Sequence, residues 1–156
     1  VSECSDIFYI GGTKNGALMG EAMVINNDRF KDCFRYHIKQ NGALLSKSRI
    51  FGIQFYALLK DNLYFKLSAR ANDMAARLAS GITDMGFDFL SRSRTNQIFP
   101  ILPNRVIESL NRQFAFYVWK PVDSTSSAVR LVTSWATTTD AVNRFLDELE
   151  KIKRHL

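Results

Sequence analysis

The 156-residue sequence contains only two cysteines, Cys4 and Cys33, which stand too far apart for a metal-binding knuckle. Two cysteines do not make the disulfide framework of a small secreted domain, so we expect both to be free thiols. Histidine is equally scarce. His37 follows aromatic residues in a predicted helix, and we expect it to pack in the core rather than to act as a ligand or a base. We therefore predict no metal site.

Long hydrophobic runs are also missing. No apolar stretch approaches the roughly 18 residues that a membrane-spanning helix needs, and the first residues lack the basic and apolar regions of a secretory signal. The 46% hydrophobic content is that of a globular protein, and no repeat or low-complexity segment interrupts the chain. We expect a soluble, cytoplasmic protein with no membrane partner.

Charge of one sign is in excess, but it is not concentrated. A net charge of +6 and a pI near 9.5 would suit a partner with phosphates, including nucleic acid. The basic residues are scattered, however, and those at 151–154 fall in the last turn of a predicted helix, where cations oppose the negative end of the helix dipole. A pocket for one phosphate and one carboxylate needs much less charge, so we expect no nucleic-acid partner.

The most informative stretch is residues 6–16, which read DIFYIGGTKNG. An apolar, strand-like run stops at Gly11 and Gly12, offers Lys14, and turns again at Asn-Gly, the strongest short turn pattern. A partly desolvated lysine at that position has a lowered pKa, and its amine is free to form a Schiff base. The alternative is a hairpin whose turn carries an exposed lysine.

The strand that precedes this turn, residues 7–10, has four apolar residues in succession. Such a run is typical of a strand that is covered on both faces at the centre of an α/β sheet. Its neighbours in that sheet are not in this sequence. We therefore expect the chain to be the C-terminal part of a larger polypeptide.

Hydrophobic periodicity and turn residues predict the remaining elements. After a second strand at 20–26, three helices are expected at 29–39, 45–60 and 61–80, with Asn62 as a cap for the third. The remainder predicts a four-stranded, largely antiparallel sheet with helices on one face, an α+β arrangement. Its strands are expected at 87–90, 95–102, 114–119 and 128–134, and its helices at 103–111 and 138–154.

A second unusual feature is Arg130, which interrupts the alternating strand at 127–134. An arginine inside a strand is costly unless it is paired or faces a cleft, and its planar fork suits a carboxylate. The alternative is an edge-strand arginine paired with a surface acid. The aromatic residues Phe116, Tyr117 and Trp119 could stack on RNA bases. We expect them to pack in the core instead, because the interleaved basic residues of such a sheet are missing.

Residues 6–22 resemble the cofactor-lysine segment of the low-specificity threonine aldolases. These are pyridoxal-phosphate enzymes of the β-eliminating lyase group, with the aspartate-aminotransferase-like fold. The resemblance implies that Lys14 forms the Schiff base with pyridoxal 5'-phosphate. Residues 42–59 resemble the segment that follows this lysine, and there the resemblance implies that Lys47, or alternatively Arg49, reaches the cofactor phosphate. Two exposed cations at a helix start are the simpler interpretation of that pair.

The segment VRLVTSW resembles the family's Arg-Leu-Val-Thr strand, so the resemblance implies that Arg130 binds the α-carboxylate of an amino-acid substrate. It also implies an α/β fold of the aspartate-aminotransferase type I class. Residues 1–61 would be the last strands and helices of the cofactor-binding large domain, and residues 62–156 a bridging helix and a small C-terminal α+β domain with a mostly antiparallel sheet.

The activity that the resemblance implies is cleavage of the Cα–Cβ bond of β-hydroxy-α-amino acids to glycine and an aldehyde, in a homodimer or homotetramer. The family draws other cofactor-binding groups from the half that precedes this segment. The 156 residues alone are therefore predicted to be inactive. The competing hypothesis is a non-catalytic, basic α+β module that binds a partner protein or RNA.

Overall fold

The computed structural model describes residues 1–155, which form two compact units, residues 1–66 and residues 67–155. The first unit is an antiparallel hairpin followed by two helices: β1 Ile7–Gly11, β2 Glu21–Ile25, α1 Phe34–Gln40 and α2 Arg49–Leu59. A long helix, α3 Leu63–Asp84, begins in this unit and continues into the second. The second unit then adds β3 Gln97–Ile98, β4 Ile101–Pro103, α4 Asn104–Leu110, β5 Tyr117–Pro121, β6 Ser126–Val132 and α5 Thr139–Lys153.

Both strands predicted in the first unit are present, and they pair from Ile7 with Ile25 to Gly11 with Glu21. β1 was expected to be covered on both faces by strands that are not in this sequence, and within the described residues one face is open. Tyr9 is 66% exposed and its cross-strand partner Met23 is 53% exposed, because no side chain of residues 1–155 covers that face of the hairpin. β1 therefore has the alternating burial of a strand with one open face.

The helices of the first unit are shorter than the sequence predicted. The helix expected at 29–39 is a short 3₁₀ turn, Asp28–Phe30, followed by α1. Cys33 separates them with a left-handed φ of 56°, which a helix cannot contain. His37 on α1 is exposed, so the prediction that it packs in the core is wrong.

The boundary between α2 and α3 also differs from the prediction. α2 begins at Arg49 rather than near residue 45, and it ends before Asp61 and Asn62, which both have positive φ. These two left-handed residues lie between α2 and α3 and change the chain direction there, and Asn62 directly precedes α3. α3 runs on to Asp84, past the predicted end at residue 80.

The sheet of the second unit is antiparallel and centred on β6. β5 pairs with one edge of β6, while β3 and β4 pair with the other edge in a single register. Between β3 and β4 lies Pro100, which has no N–H to donate, although its carbonyl accepts from Val129 at 3.0 Å. The strand predicted at 95–102 is thus present in two pieces, and the strands predicted at 114–119 and 128–134 are present with shifted ends.

The strand predicted at 87–90 is reduced to one bridge between Phe89 and Pro100. Its backbone still follows the sheet edge, because the Leu90 N–H donates to Phe99 at 2.9 Å and the Ile101 N–H donates to Asp88 at 2.8 Å. The predicted four-stranded antiparallel arrangement is therefore confirmed, with its first strand at the limit of regular structure.

The turn between β5 and β6 fixes the hairpin that carries Arg130. The Asp123 carboxylate accepts hydrogen bonds from the backbone N–H and hydroxyl of Thr125, at 2.7 and 2.8 Å, and from the Ser126 N–H at 2.8 Å. These bonds, above all the backbone bond from Thr125, hold the pKa of Asp123 below its usual value. The ionised form of Asp123 is therefore the one that this turn favours.

One hydrophobic core joins this sheet to α3, α4 and α5. As predicted, Thr138 caps α5, with its hydroxyl accepting from the Ala141 N–H at 3.1 Å. The fully buried members of the core come from every layer of the unit: Ile82, Leu102, Val106, Leu110, Val129 and Leu149.

Both cysteines are exposed free thiols, as predicted. Within residues 1–155, no group of three or more His, Cys, Asp and Glu side chains is arranged to hold a metal ion. None of the helices in the same residues combines the length and the apolar character that crossing a membrane requires.

Candidate functional site

Lys14 lies in the tight turn that follows β1. The turn is closed by hydrogen bonds from the Asn15 and Ala17 N–H groups to the Gly12 carbonyl, at 2.9 and 3.0 Å. Gly16 completes it with a φ of 103°, which glycine adopts without strain. The predicted glycine turn is present, and it presents an exposed lysine side chain.

Two side chains tie this turn to the start of α3. The Asn15 side-chain amide donates to the Tyr64 carbonyl at 2.9 Å, and the Tyr64 hydroxyl donates to the Gly11 carbonyl at 2.9 Å. Bonds on both sides of Lys14 therefore fix the backbone that carries it, although its own side chain is exposed.

A third side chain that holds the Lys14 turn was not predicted from the sequence. Gln54 on α2 accepts hydrogen bonds at Oε1 from the Leu18 N–H at 2.6 Å and the Met19 N–H at 3.3 Å. Its amide nitrogen donates to the Ile50 carbonyl one turn earlier, at 3.1 Å. The backbone N–H groups after Lys14 thus donate to a helix side chain that lies 36 residues from Leu18 in the sequence. No local sequence pattern indicates such a contact.

The glycines around Lys14 allow the turn to pack closely on α2. A Cβ on Gly12 would lie 2.8 Å from the Ala17 Cβ and from the Phe55 ring, and 3.0 Å from the Gly20 carbonyl oxygen. A Cβ on Gly20, whose φ is +86°, would overlap the ring of Phe51. Glycine is thus required by close contact at both positions, and at Gly20 by its positive φ as well.

Gly12→Ala is expected to lower the free energy of unfolding by about 1 to 3 kcal/mol, the usual cost of overpacking. Gly11→Ala is the matched control, because it lies next in the chain and a Cβ there meets nothing within 4 Å. Thermal or urea unfolding of both variants measures the difference. Equal midpoints for the two variants would show that the close packing on α2 does not matter.

The predicted phosphate-binding residues lie just before the same helix. Lys47 is exposed in the turn that precedes α2, and Arg49 is the exposed first residue of α2. Ser48 between them makes no capping bond. Lys14 and Lys47 both belong to the first unit, and α2 is the element that follows Lys47 and contacts the Lys14 turn.

Arg130 belongs to the second unit, where it lies on β6 opposite Tyr117. Beyond this pair the two strands separate, and a cavity of about 840 Å³ opens beside them. Arg130 lines it together with polar residues of the turn after α4 and apolar residues of the core, among them Arg112, Gln113, Phe114, Thr133 and Phe145.

Arg130 has no acidic partner within residues 1–155. No carboxylate of residues 1–155 forms an ion pair with it, and its buried Nε has no hydrogen-bond partner among the same residues. The alternative of an edge-strand arginine paired with a surface acid is therefore wrong. A half-buried guanidinium with an unsatisfied N–H beside a cavity has the donor set that a carboxylate ligand requires.

The side chains around this arginine were also assigned incorrectly. Tyr117 and Trp119 are 69% and 51% exposed instead of packing in the core. Their rings lie 5.1 and 5.4 Å from the Arg130 guanidinium carbon. Asn96 has a structural role, because its amide donates to the Thr133 carbonyl at 2.7 Å.

Comparison with known proteins gives a consistent result, although no family model matches the chain. It is 32% identical over 134 residues to the low specificity L-threonine aldolase of Pseudomonas sp., covering 85% of this chain and 38% of that protein. The threonine aldolase of Leishmania major superposes with a TM-score of 0.90 at 44% identity, over 97% of this chain and 44% of the other. The chain spans about two fifths of the length of the curated relatives it matches.

A more distant structure establishes how general the fold is. SPT, solved with a PLP internal aldimine, has a TM-score of 0.61 over 96% of this chain and 40% of its own, at only 12% identity. The same arrangement therefore occurs in a protein of very different sequence, as predicted for the aspartate-aminotransferase-like fold. By sequence and by structure, the chain is similar to the threonine aldolases over about two fifths of their length.

Proposed function

We propose that the protein containing this chain is a pyridoxal-phosphate-dependent lyase that cleaves β-hydroxy-α-amino acids to glycine and an aldehyde. The names of its relatives support this activity. The structural observation that carries the proposal is Arg130, whose guanidinium lines a cavity and has no acidic partner in the described part of the chain. An amino-acid substrate supplies the missing carboxylate.

The residues of the first unit fit the cofactor by their chemistry. Lys14 offers an exposed primary amine on a backbone fixed by Asn15, Tyr64 and Gln54, and Lys47 is an exposed cation that no carboxylate neutralises within residues 1–155. In this proposal Lys14 holds the cofactor through its aldehyde, and Lys47, or alternatively Arg49, binds its phosphate. When bound, pyridoxal phosphate supplies an acceptor for the electron pair of a bond broken at the substrate Cα.

The chain's own contribution to the reaction is orientation. Arg130 binds the substrate carboxylate through two parallel N–H bonds, which fix one substituent of Cα in space. With the substrate amine held on the cofactor side, the direction of the Cα–Cβ bond is also fixed. Selection of this bond for cleavage is thus a matter of geometry rather than of added chemistry.

Domain organisation, assembly and location belong to the same proposal. Residues 1–61 would be part of the cofactor-binding domain and residues 62–156 a bridging helix with the small domain. A homodimer or homotetramer would suit α2, whose exposed face carries Ile50, Ile53 and Tyr56. A cytoplasmic location remains a prediction from the sequence alone.

The complete protein, purified with pyridoxal phosphate, is expected to release glycine and acetaldehyde from threonine, and the 156 residues alone are expected to release neither. Chromatographic detection of glycine checks both statements. Activity of the isolated chain would contradict the proposed incompleteness of its site. An inactive complete protein that binds RNA with a steep salt dependence would instead support the competing module, which the comparisons do not favour.

A further inference from the structure

We propose that Tyr117 and Trp119 are positioning residues that hold the Arg130 guanidinium ready to bind the substrate carboxylate. Their rings lie 5.1 and 5.4 Å from its central carbon, within the range of cation–π attraction. The inference rests on the proposed function, because it assumes that the ligand of Arg130 is a carboxylate.

The strand geometry explains why two aromatic side chains meet one arginine. Tyr117 is the direct cross-strand partner of Arg130, and side chains so paired lie on the same face of the sheet. The register of β5 shifts between Val118 and Lys120, which leaves Trp119 as the extra residue of a β-bulge. Bulges redirect a side chain, and here the indole reaches the guanidinium.

The indole is itself braced. The Phe99 ring contacts Trp119 edge to face, with ring centroids 5.3 Å apart and an interplanar angle of 62°. Trp119, although half exposed, thus contacts both Phe99 and Arg130. The indole is therefore held by two side chains rather than by one.

Contacts with aromatic rings occupy the guanidinium without consuming its N–H donors. The Arg130 Nε is buried and has no partner within residues 1–155, so its desolvation is uncompensated until a ligand accepts from it. An arginine that is already oriented loses less side-chain freedom on binding, which raises the affinity for its ligand. The aromatic pair therefore acts through Arg130 and need not touch the substrate.

The test uses Tyr117→Ala, Trp119→Ala and Tyr117→Phe in the complete protein with its cofactor. Each alanine variant is expected to raise KM for threonine by about 3- to 30-fold, the range set by the strength of cation–π contacts, and to leave kcat within about twofold. Tyr117→Phe retains the ring and is expected to restore KM. The affinity for acetate, measured by calorimetry, is expected to weaken by the same factor, because acetate probes the carboxylate site alone.

Val118→Ala is the matched control, because Val118 lies between the two aromatic residues and is also exposed, while strand alternation directs it to the other face. It is expected to change neither KM nor acetate affinity. The inference is overturned if the alanine variants fold but keep both constants, or if kcat and melting temperature fall while both constants stay unchanged. The two proposals can also fail separately. If the wild-type protein makes no glycine, but Tyr117→Ala weakens its affinity for acetate, the proposed function is contradicted and the positioning role is supported.

Discussion

Lys14→Ala in the complete protein is expected to abolish glycine formation. It is also expected to remove the absorption band at about 420 nm that pyridoxal phosphate gives when a lysine amine holds it. The amine is the only part of Lys14 that can bind an aldehyde covalently and also carry a proton. Activity is expected to fall by about 100-fold or more, the lower end of what a positioned proton-transfer group contributes. Threonine turnover and an absorption spectrum of the purified variant measure both effects.

Two further variants separate chemistry from charge and from folding. Lys14→Arg keeps the positive charge but has no nucleophilic amine at neutral pH, so it is expected to behave as Lys14→Ala does. Lys39→Ala removes another exposed lysine of the same unit and is expected to have no effect. Because the turn is held by Asn15, Tyr64 and Gln54, both Lys14 variants should melt near the wild-type temperature. A retained band in Lys14→Ala would assign the cofactor to another amine.

The local features of the Lys14 turn could be predicted from sequence because they depend on neighbouring residues. An apolar run, two glycines and Asn-Gly specify a strand that ends in a tight turn, and the structure has that turn at Gly12. The contacts that fasten it could not be predicted in the same way. Gln54 lies 35 and 36 residues from its partners Met19 and Leu18. Tyr64 lies 49 and 53 residues from its partners Asn15 and Gly11. A glutamine on a helix would ordinarily be predicted to lie on the solvent-exposed surface.

Around Arg130, the sequence predicted the position of the candidate functional residue but not the side chains that surround it. The strand pattern located the arginine, and its cost inside a strand indicated a cleft or a partner. Phe116, Tyr117 and Trp119 were assigned to the core because the interleaved basic residues of a base-stacking sheet are missing, but only Phe116 packs against the core. Tyr117 instead faces Arg130 across the strand pair, and the aromatic composition of a strand does not say which face the core covers.

The open face of β1 shows a related limit of sequence patterns. A run of apolar residues indicates that a strand is covered on both faces, but it does not say what covers it. In residues 1–155 one face of the hairpin stays open at Tyr9 and Met23. The apolar composition of β1 therefore indicates that both faces are suited to burial. The structure shows that residues 1–155 bury only one of them.

Arg130→Lys is expected to raise KM for threonine by about 10- to 100-fold in the complete protein, because hydrogen bonds between charged groups contribute about 1.5 to 3 kcal/mol. Lysine keeps the charge but cannot form the two parallel N–H bonds to a carboxylate. It also lacks the planar group that Tyr117 and Trp119 contact. Initial rates over a range of threonine concentrations measure the change, and the cofactor absorption band should remain.

Arg112→Lys is the informative comparison, because Arg112 lines the same cavity but is exposed. If carboxylate binding depends on a desolvated donor, only the Arg130 variant should lose affinity, since Arg112 is solvated with or without ligand. A rise in KM for Arg112→Lys with none for Arg130→Lys would assign the carboxylate to the other arginine. In that case the unsatisfied Nε of Arg130 would need a different ligand.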